Sequence, residues 1–189
     1  FSSLSLDADE QLMERAIGTA QEKVRERSRQ NPQQEGMGTT ATLLVVLNGT
    51  AVVGFVGDSR AYRLRDGTLL QLTQDQTLGQ KLVQDGMLKP EDARKDPRHG
   101  WLLQAIGGSK QLQVGYSSTD TKAGDLFLLC TDGLYTMVPN DDIRTALLEA
   151  PSLPQACQKL VGLANERGGA DNITVLLARV SPAPAQSQA

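Results

Sequence analysis

Leu12, Met13, Ala16, Ile17, Ala20 and Val24 recur at helical spacing with charges between them, which predicts a helix over residues 7–29. Asp7 with Glu10 supplies a capping-box-like start. Asn31-Pro32 and the polar residues up to Gly36 break the pattern. The period then shortens. Residues 39–47 and 50–56 are rich in β-branched and apolar side chains, and Asn48-Gly49 between them is a strong hairpin signal. Residues 61–65 and 68–72 repeat the arrangement around Asp66-Gly67, so an antiparallel meander is expected, with its near-continuous apolar strands buried on both faces.

From residue 76 to 101 the chain is charged and punctuated. Leu78, Leu82 and Val83 suggest a short helix ended by Gly86, and 90–94 starts another turn of helix, together forming a small surface subdomain. Strands resume at 111–117 and 125–131. Asn140-Asp141-Asp142 opens a helix to 150, with acids at its positive end, and Ser152 followed by Pro154 opens another to about 167. Gly168-Gly169 ends that helix, 173–180 is a last strand, and the Pro/Ala/Gln/Ser-rich 181–189 is expected to be a disordered tail. Antiparallel strands with helices gathered rather than alternating make the class α+β.

Composition narrows the chemistry. At 189 residues the chain suits one domain plus a tail, and 39% hydrophobic content supports a packed core. A net charge of −3 with no basic block argues against a nucleic-acid partner, and no apolar run is long enough to cross a bilayer. No secretory signal is visible. Cys130 and Cys157 lie in apolar contexts without metal-ligand spacing and read as reduced core thiols of a cytoplasmic protein. His99 is the only histidine, so any catalysis must rest on carboxylates.

Three aspartates stand where strands emerge beside small or polar residues: Asp132 before Gly133, Asp171 before Asn172, and Asp75 after Thr73-Gln74. Carboxylates crowded at such ends repel one another unless a hard cation such as Mg²⁺ or Mn²⁺ neutralises them. Taken singly, each reads more readily as a turn or loop residue, and the spacing by itself does not bring them together. Ser59 within Gly57-Asp58-Ser59-Arg60 has no histidine nearby and does not match a nucleophile elbow, so it reads as part of a strand junction. His99 reads as a solvated or loop-pinning residue. The 36–40 stretch lacks the lysine of a phosphate-cradling loop and reads as flexible entry to a strand.

The ordered motifs Gly36-Met37-Gly38-Thr39-Thr40, Val56-Gly57-Asp58-Ser59-Arg60-Ala61-Tyr62, Leu72-Thr73-Gln74-Asp75, Cys130-Thr131-Asp132-Gly133-Leu134, and the run from Ala164 through Gly168-Gly169-Ala170-Asp171-Asn172 to Val175 resemble bacterial metal-dependent protein phosphatases of the PPM, or type 2C, family. The resemblance covers 36–180. It implies a β-sandwich of two antiparallel sheets flanked by helices, forming a phosphatase-like domain over 1–180 with a flap at about 78–104. It further implies hydrolysis of phosphoserine and phosphothreonine in proteins by a water activated by Mn²⁺ or Mg²⁺, with two to three ions in the complete domain. Asp132 matches the aspartate on the catalytic metal pair, Asp171 the one completing the first ion's ligands, and Asp75 the third-ion ligand. Asp132 and Asp171 are thereby the catalytic candidates. A phosphoprotein substrate, an opposing serine/threonine kinase, a role in bacterial signal transduction and a monomeric state when complete follow from the same resemblance.

Two departures accompany it. The family's Arg-x-x-Asn-Glu-Asp and Asp-Gly-Met-Gly-Gly segments do not occur, so the domain is expected to be N-terminally incomplete and the chain alone weakly active or inactive. Gln76 stands where relatives usually carry histidine, a tuning change beside Asp75. A non-catalytic phosphatase-like binding module is the alternative from another class, and a small-molecule phosphohydrolase a weaker one. Three retained aspartates favour the enzyme over the module, and the flap-like region favours a macromolecular substrate.

Overall fold

Two-residue turns organise the first strands. Asn48 (φ 50°) and Gly49 (φ 79°), and then Asp66 (φ 48°) and Gly67 (φ 74°), take the left-handed conformation that a type I′ hairpin requires at both central positions. The first joins β1 (Ala41–Leu47) to β2 (Thr50–Val56), and the second joins β3 (Arg60–Arg65) to β4 (Thr68–Gln71), with Arg65 opposite Thr68. The computed structural model describes residues 2–93, 96–108 and 111–182, with side chains from residue 8 onward. Of the expected tail, Ser181 and Pro182 form no regular element and 183–189 lie outside the described residues, as does Arg94 at the end of the expected 90–94 helix.

The four strands do not form one meander. β1 and β2 belong to a three-stranded sheet of order β1-β2-β5, with β5 at Gly115–Asp120, whereas β3 and β4 belong to a four-stranded sheet of order β4-β3-β6-β7, with β6 at Leu126–Cys130 and β7 at Val175–Arg179. Gly57-Asp58-Ser59 carries the chain from one sheet to the other. The result is α+β, two antiparallel sheets with helices.

The chain divides into two compact units. The first comprises Phe1–Val45, Val52–Ser59 and Thr73–Ser117. It holds α1 (Ser2–Gln30), α2 (Leu78–Gln84) and α3 (Pro90–Ala93). Because α1 begins at Ser2, Asp7 lies inside the helix and does not cap it. Met13 and Ile17, four apart, are buried, whereas Leu12 is 56% exposed, which orients the helix. Ile17, Val56 and Ile106 form a core with Ala20, Val24, Ala41, Leu43, Leu112 and Val114 around it. Leu112 and Val114 therefore pack as core before β5 begins, so the strand expected at 111–117 is displaced to later residues.

The second unit comprises Val46–Ala51, Arg60–Leu72 and Ser118–Ala189. Its helices are α4 (Asp132–Tyr135), α5 (Asn140–Glu149) and α6 (Leu153–Glu166). Tyr62 and Leu128 from the sheet are fully buried with Leu134, Ile143 and Leu160 from the three helices. Burial on both faces is limited to inner strands: β6 is buried nearly throughout, while edge strand β7 leaves Leu176 52% exposed and β1 ends on exposed Val46 and Leu47. Cys130 is buried in this core and Cys157, on α6, is only half-buried.

Asp125, just before β6, is the buried charge of this unit. Its side chain is 1% exposed and receives Arg65 Nε at 2.7 Å and Nη2 at 2.6 Å, plus the Lys122 backbone N–H at 2.8 Å. These donors, Arg65 first, hold the Asp125 carboxyl below its ordinary value. A depressed carboxyl adds stability that is complete above the unfolded value, about 3.9, and is lost as pH falls through the folded one. Asp125→Asn is expected to cost about 3 kcal/mol at neutral pH, with the gap to wild type closing below about pH 4. Urea unfolding across pH measures it, and a pH-independent difference contradicts the assignment.

Candidate active site

The β6–β7 ladder delivers two of the three aspartates to one place. Leu126 pairs with Arg179 at one end, and Cys130 with Val175 at the other. Beyond Cys130 the contact continues without a strand. Thr131 N–H donates to the Thr174 carbonyl at 3.2 Å. The Thr131 hydroxyl accepts from Thr174 N–H at 2.9 Å and donates to the Asn172 carbonyl at 3.3 Å. Ile173 and Thr174, expected as strand, instead belong to this tied loop.

Gly133 makes the approach tight. A Cβ there would stand 2.3 Å from the Asn172 carbonyl oxygen, so no other residue fits without moving the loop. Asp132 begins α4, where the Thr136 hydroxyl donates to its carbonyl at 2.6 Å. On the other side, α6 ends in a Schellman arrangement. Gly169 N–H reaches the Ala164 carbonyl and Gly168 N–H the Asn165 carbonyl, each at 3.0 Å, turning the chain into Ala170-Asp171-Asn172. Arg167 at the same helix end bonds Asp142 at 2.6 Å and anchors α6 to the first turn of α5.

Asp132 is half-buried; Asp171 is exposed and lines a cavity with Val161, Asn165 and its neighbours in 169–173, a cavity whose walls do not include Asp132. One Asp171 oxygen accepts from the Asn172 N–H at 2.6 Å. Among the described residues neither carboxylate is in an ion pair. Two such oxygen donors fit a hard divalent cation, which prefers carboxylates and water and takes six or more oxygens. The described residues contain no group of three or more His, Cys, Asp or Glu able to hold a metal. Asp75 belongs to the first unit and is half-buried, next to Gln76.

The remaining candidates have structural partners. Ser59 is buried, with its hydroxyl 2.8 Å from that of Thr40 and its carbonyl accepting from the Thr42 hydroxyl at 2.9 Å. It closes the junction after β2 through Thr40 and Thr42. His99 Nδ1 donates to the Asp96 carbonyl at 2.9 Å, pinning its loop, where the Arg98 side chain and backbone bring the Asp96 carboxyl down to about 2. Thr39 pairs with Ile106 at the entry to β1. Sequence reasoning missed the Thr131 clip and a stack of the Arg60 guanidinium over the Tyr135 ring, 3.5 Å to the centroid, with Arg60 also donating to the Tyr62 hydroxyl at 3.1 Å. Their only advance signal was the clustering of Thr131 and Tyr135 around Asp132-Gly133.

Comparison with known proteins assigns the class. The family described as Protein phosphatase 2C matches residues 2–177, and the chain belongs to that family. Serine/threonine protein phosphatase PstP of Mycobacterium tuberculosis is 38% identical over 149 residues, 79% of this chain and 29% of its own length. The S. agalactiae serine/threonine phosphatase structure superposes with a TM-score of 0.86 at 35% identity, covering 96% of this chain and 74% of that one. The catalytic domain of PstP in complex with two manganese ions gives 0.75 at 35% identity, covering 86% and 67%. The chain therefore spans under a third of the curated mycobacterial relative it matches.

No helix among the described residues is long and apolar enough to cross a membrane. Gly133→Ala is expected to push the Asn172 carbonyl away and cost about 2 kcal/mol. Unfolding in urea checks this, and unchanged stability would show the two segments to be less tightly apposed.

Proposed function

We propose that this protein is a metal-dependent serine/threonine protein phosphatase, with Asp132 and Asp171 as its catalytic metal ligands. The observation that carries the reading is the Thr131-Asn172-Thr174 clip, which brings two carboxylates without ion-pair partners to one end of the β6–β7 ladder. Membership of the Protein phosphatase 2C family and the manganese-bound PstP relative support it. Bound Mn²⁺ or Mg²⁺ supplies a water of lowered pKa and offsets phosphoryl charge. The chain's own part is to hold the two carboxylates rigidly, Asp132 through α4 and Asp171 through the turn after α6. Asp75 as a further ligand for a third ion rests on the resemblance alone.

The substrate class is phosphorylated serine and threonine in proteins, set against a kinase of the same specificity in bacterial cytoplasmic signalling. A binding module needs no such pair of unneutralised carboxylates, so the enzyme is the better account. Because two carboxylates are fewer than a divalent pair requires, the 189-residue chain is expected to release phosphate slowly from a phosphothreonine peptide in Mn²⁺. A polypeptide extended upstream with further acidic ligands should be robustly active, and equal turnover by both would refute the shortage of donors. In the extended protein, Asp132→Asn should lower kcat by at least about a hundredfold. Ser59→Ala, which removes one hydroxyl contact, should stay within roughly fivefold. A severe Ser59 effect with stability intact would instead make that hydroxyl the nucleophile.

A further inference from the structure

The helix that carries Asp132 is a single turn. α4 runs only from Asp132 to Tyr135 and includes Gly133, so neither length nor propensity stabilises it, and its orientation is set by what its side chains touch. Leu134 is fully buried in the core of the second unit. At about 100° per residue, Asp132 lies on the side of the turn away from Leu134, and Tyr135, three residues on, shares the face of Asp132. Leu134 is therefore a pivot, and a contact at Tyr135 decides how far the turn rolls about it. Side chains reach about 5–6 Å from a helix axis, so a roll of about 10° carries a carboxylate about 1 Å. That is about twice the displacement of ~0.5 Å that a working ligand tolerates.

Arg60 makes that contact. Its guanidinium lies over the Tyr135 ring, 3.5 Å from the centroid, and its Nη1 donates to the Tyr62 hydroxyl at 3.1 Å. A planar guanidinium stacks on a ring while holding a fixed fork of donors, which an ammonium does not. The support behind it is stiff. Arg60 begins β3 and pairs with Cys130 at the end of β6, and both are inner strands of the four-stranded sheet. Tyr62, two residues along on the same face, is fully buried. The Gly57-Asp58-Ser59-Arg60 motif thus ends in a cation that bridges the sheet and the Asp132 turn.

Resting on the phosphatase reading, we propose that Arg60 is a positioning residue for metal binding: by clamping Tyr135 it fixes the roll of α4 and with it the direction of the Asp132 carboxylate. By charge alone, a cation beside a metal-binding turn repels Mn²⁺. Positioning and charge therefore predict opposite signs when Arg60 is made neutral.

Mn²⁺ titration of the 189-residue chain, followed by electron paramagnetic resonance, tests it. Asp132→Asn should weaken binding and so mark the site. Arg60→Met and Tyr135→Leu should each weaken it about tenfold, with the double variant no worse than either single one. Tyr135→Phe, which keeps the ring, should stay within about twofold of wild type. Without metal, amide exchange at Thr136 and Val138, whose N–H groups donate to the Asp132 and Leu134 carbonyls, should quicken in the Met and Leu variants with β3 and β6 unchanged. Tighter Mn²⁺ binding in Arg60→Met, with Tyr135→Leu at wild-type affinity, overturns the inference in favour of charge repulsion. Faster exchange with unchanged Mn²⁺ affinity also overturns it, leaving the stack structural only, and unchanged exchange overturns it whatever the affinity. Mn²⁺ binding that Asp132→Asn leaves intact, or no binding at all, refutes the metal-ligand reading and the metal half of the inference with it, while exchange still decides whether the stack holds α4.

Discussion

One hydroxyl holds the candidate site together. Thr131 stands a single residue past β6, and its side chain accepts from Thr174 while donating to Asn172. Beyond the Cys130–Val175 pair the backbone contact continues in the Thr131 N–H bond to the Thr174 carbonyl, and the hydroxyl adds two further ties between the segments. With the clip in place the loop bearing Asp171 lies on the backbone of Gly133, the residue after Asp132. Backbone bonds and the buried face of α4, through Leu134, hold the two segments in place.

Helices of the second unit pack on the sheet face that carries Tyr62, Leu64, Leu126 and Leu128. α5 and α6 bury Ile143, Ala146, Leu147, Ala156, Leu160 and Ala164 against Tyr62 and Leu128, and Arg167 locks the end of α6 to α5. The turn after α6 therefore starts from a fixed point. Arg60 on the Tyr135 ring does for α4 what Arg167 does for α6. Packed elements on both sides fix the backbone at Asp132 and Asp171 more than their loops do.

Much of this was legible in the amino-acid order. Asn48-Gly49 and Asp66-Gly67 fixed two hairpins because few other dipeptides take positive φ twice in succession, and Ser152-Leu153-Pro154 marked a helix start. Local pattern failed where tertiary contacts decide. Nothing in Gly57-Asp58-Ser59 says that the chain changes sheets there, since a turn inside a meander has the same composition. Leu112 and Val114 look like strand residues because packing beside Ile106 and strand burial ask for the same side chains. Asp7 with Glu10 mimicked a cap, yet α1 continues upstream of it. For the candidate site, motif order pointed to Asp132 and Asp171 as candidates, but the threonine that ties their two segments and the glycine that admits the loop are visible only once β6 and β7 are paired. Gln76 is similar: four hydrogen bonds from its backbone and side chain to three residues, Gly57, Leu103 and Gln113, leave no periodic trace.

The most direct test of the account is where manganese sits. In crystals grown with Mn²⁺, anomalous scattering at the manganese edge should show a peak coordinated by oxygens of both Asp132 and Asp171, at distances of about 2.0–2.3 Å typical of hard divalent ions. Density at other residues with both carboxylates uncoordinated, or Asp132 and Asp171 oxygens too far apart to share a metal centre, would contradict it.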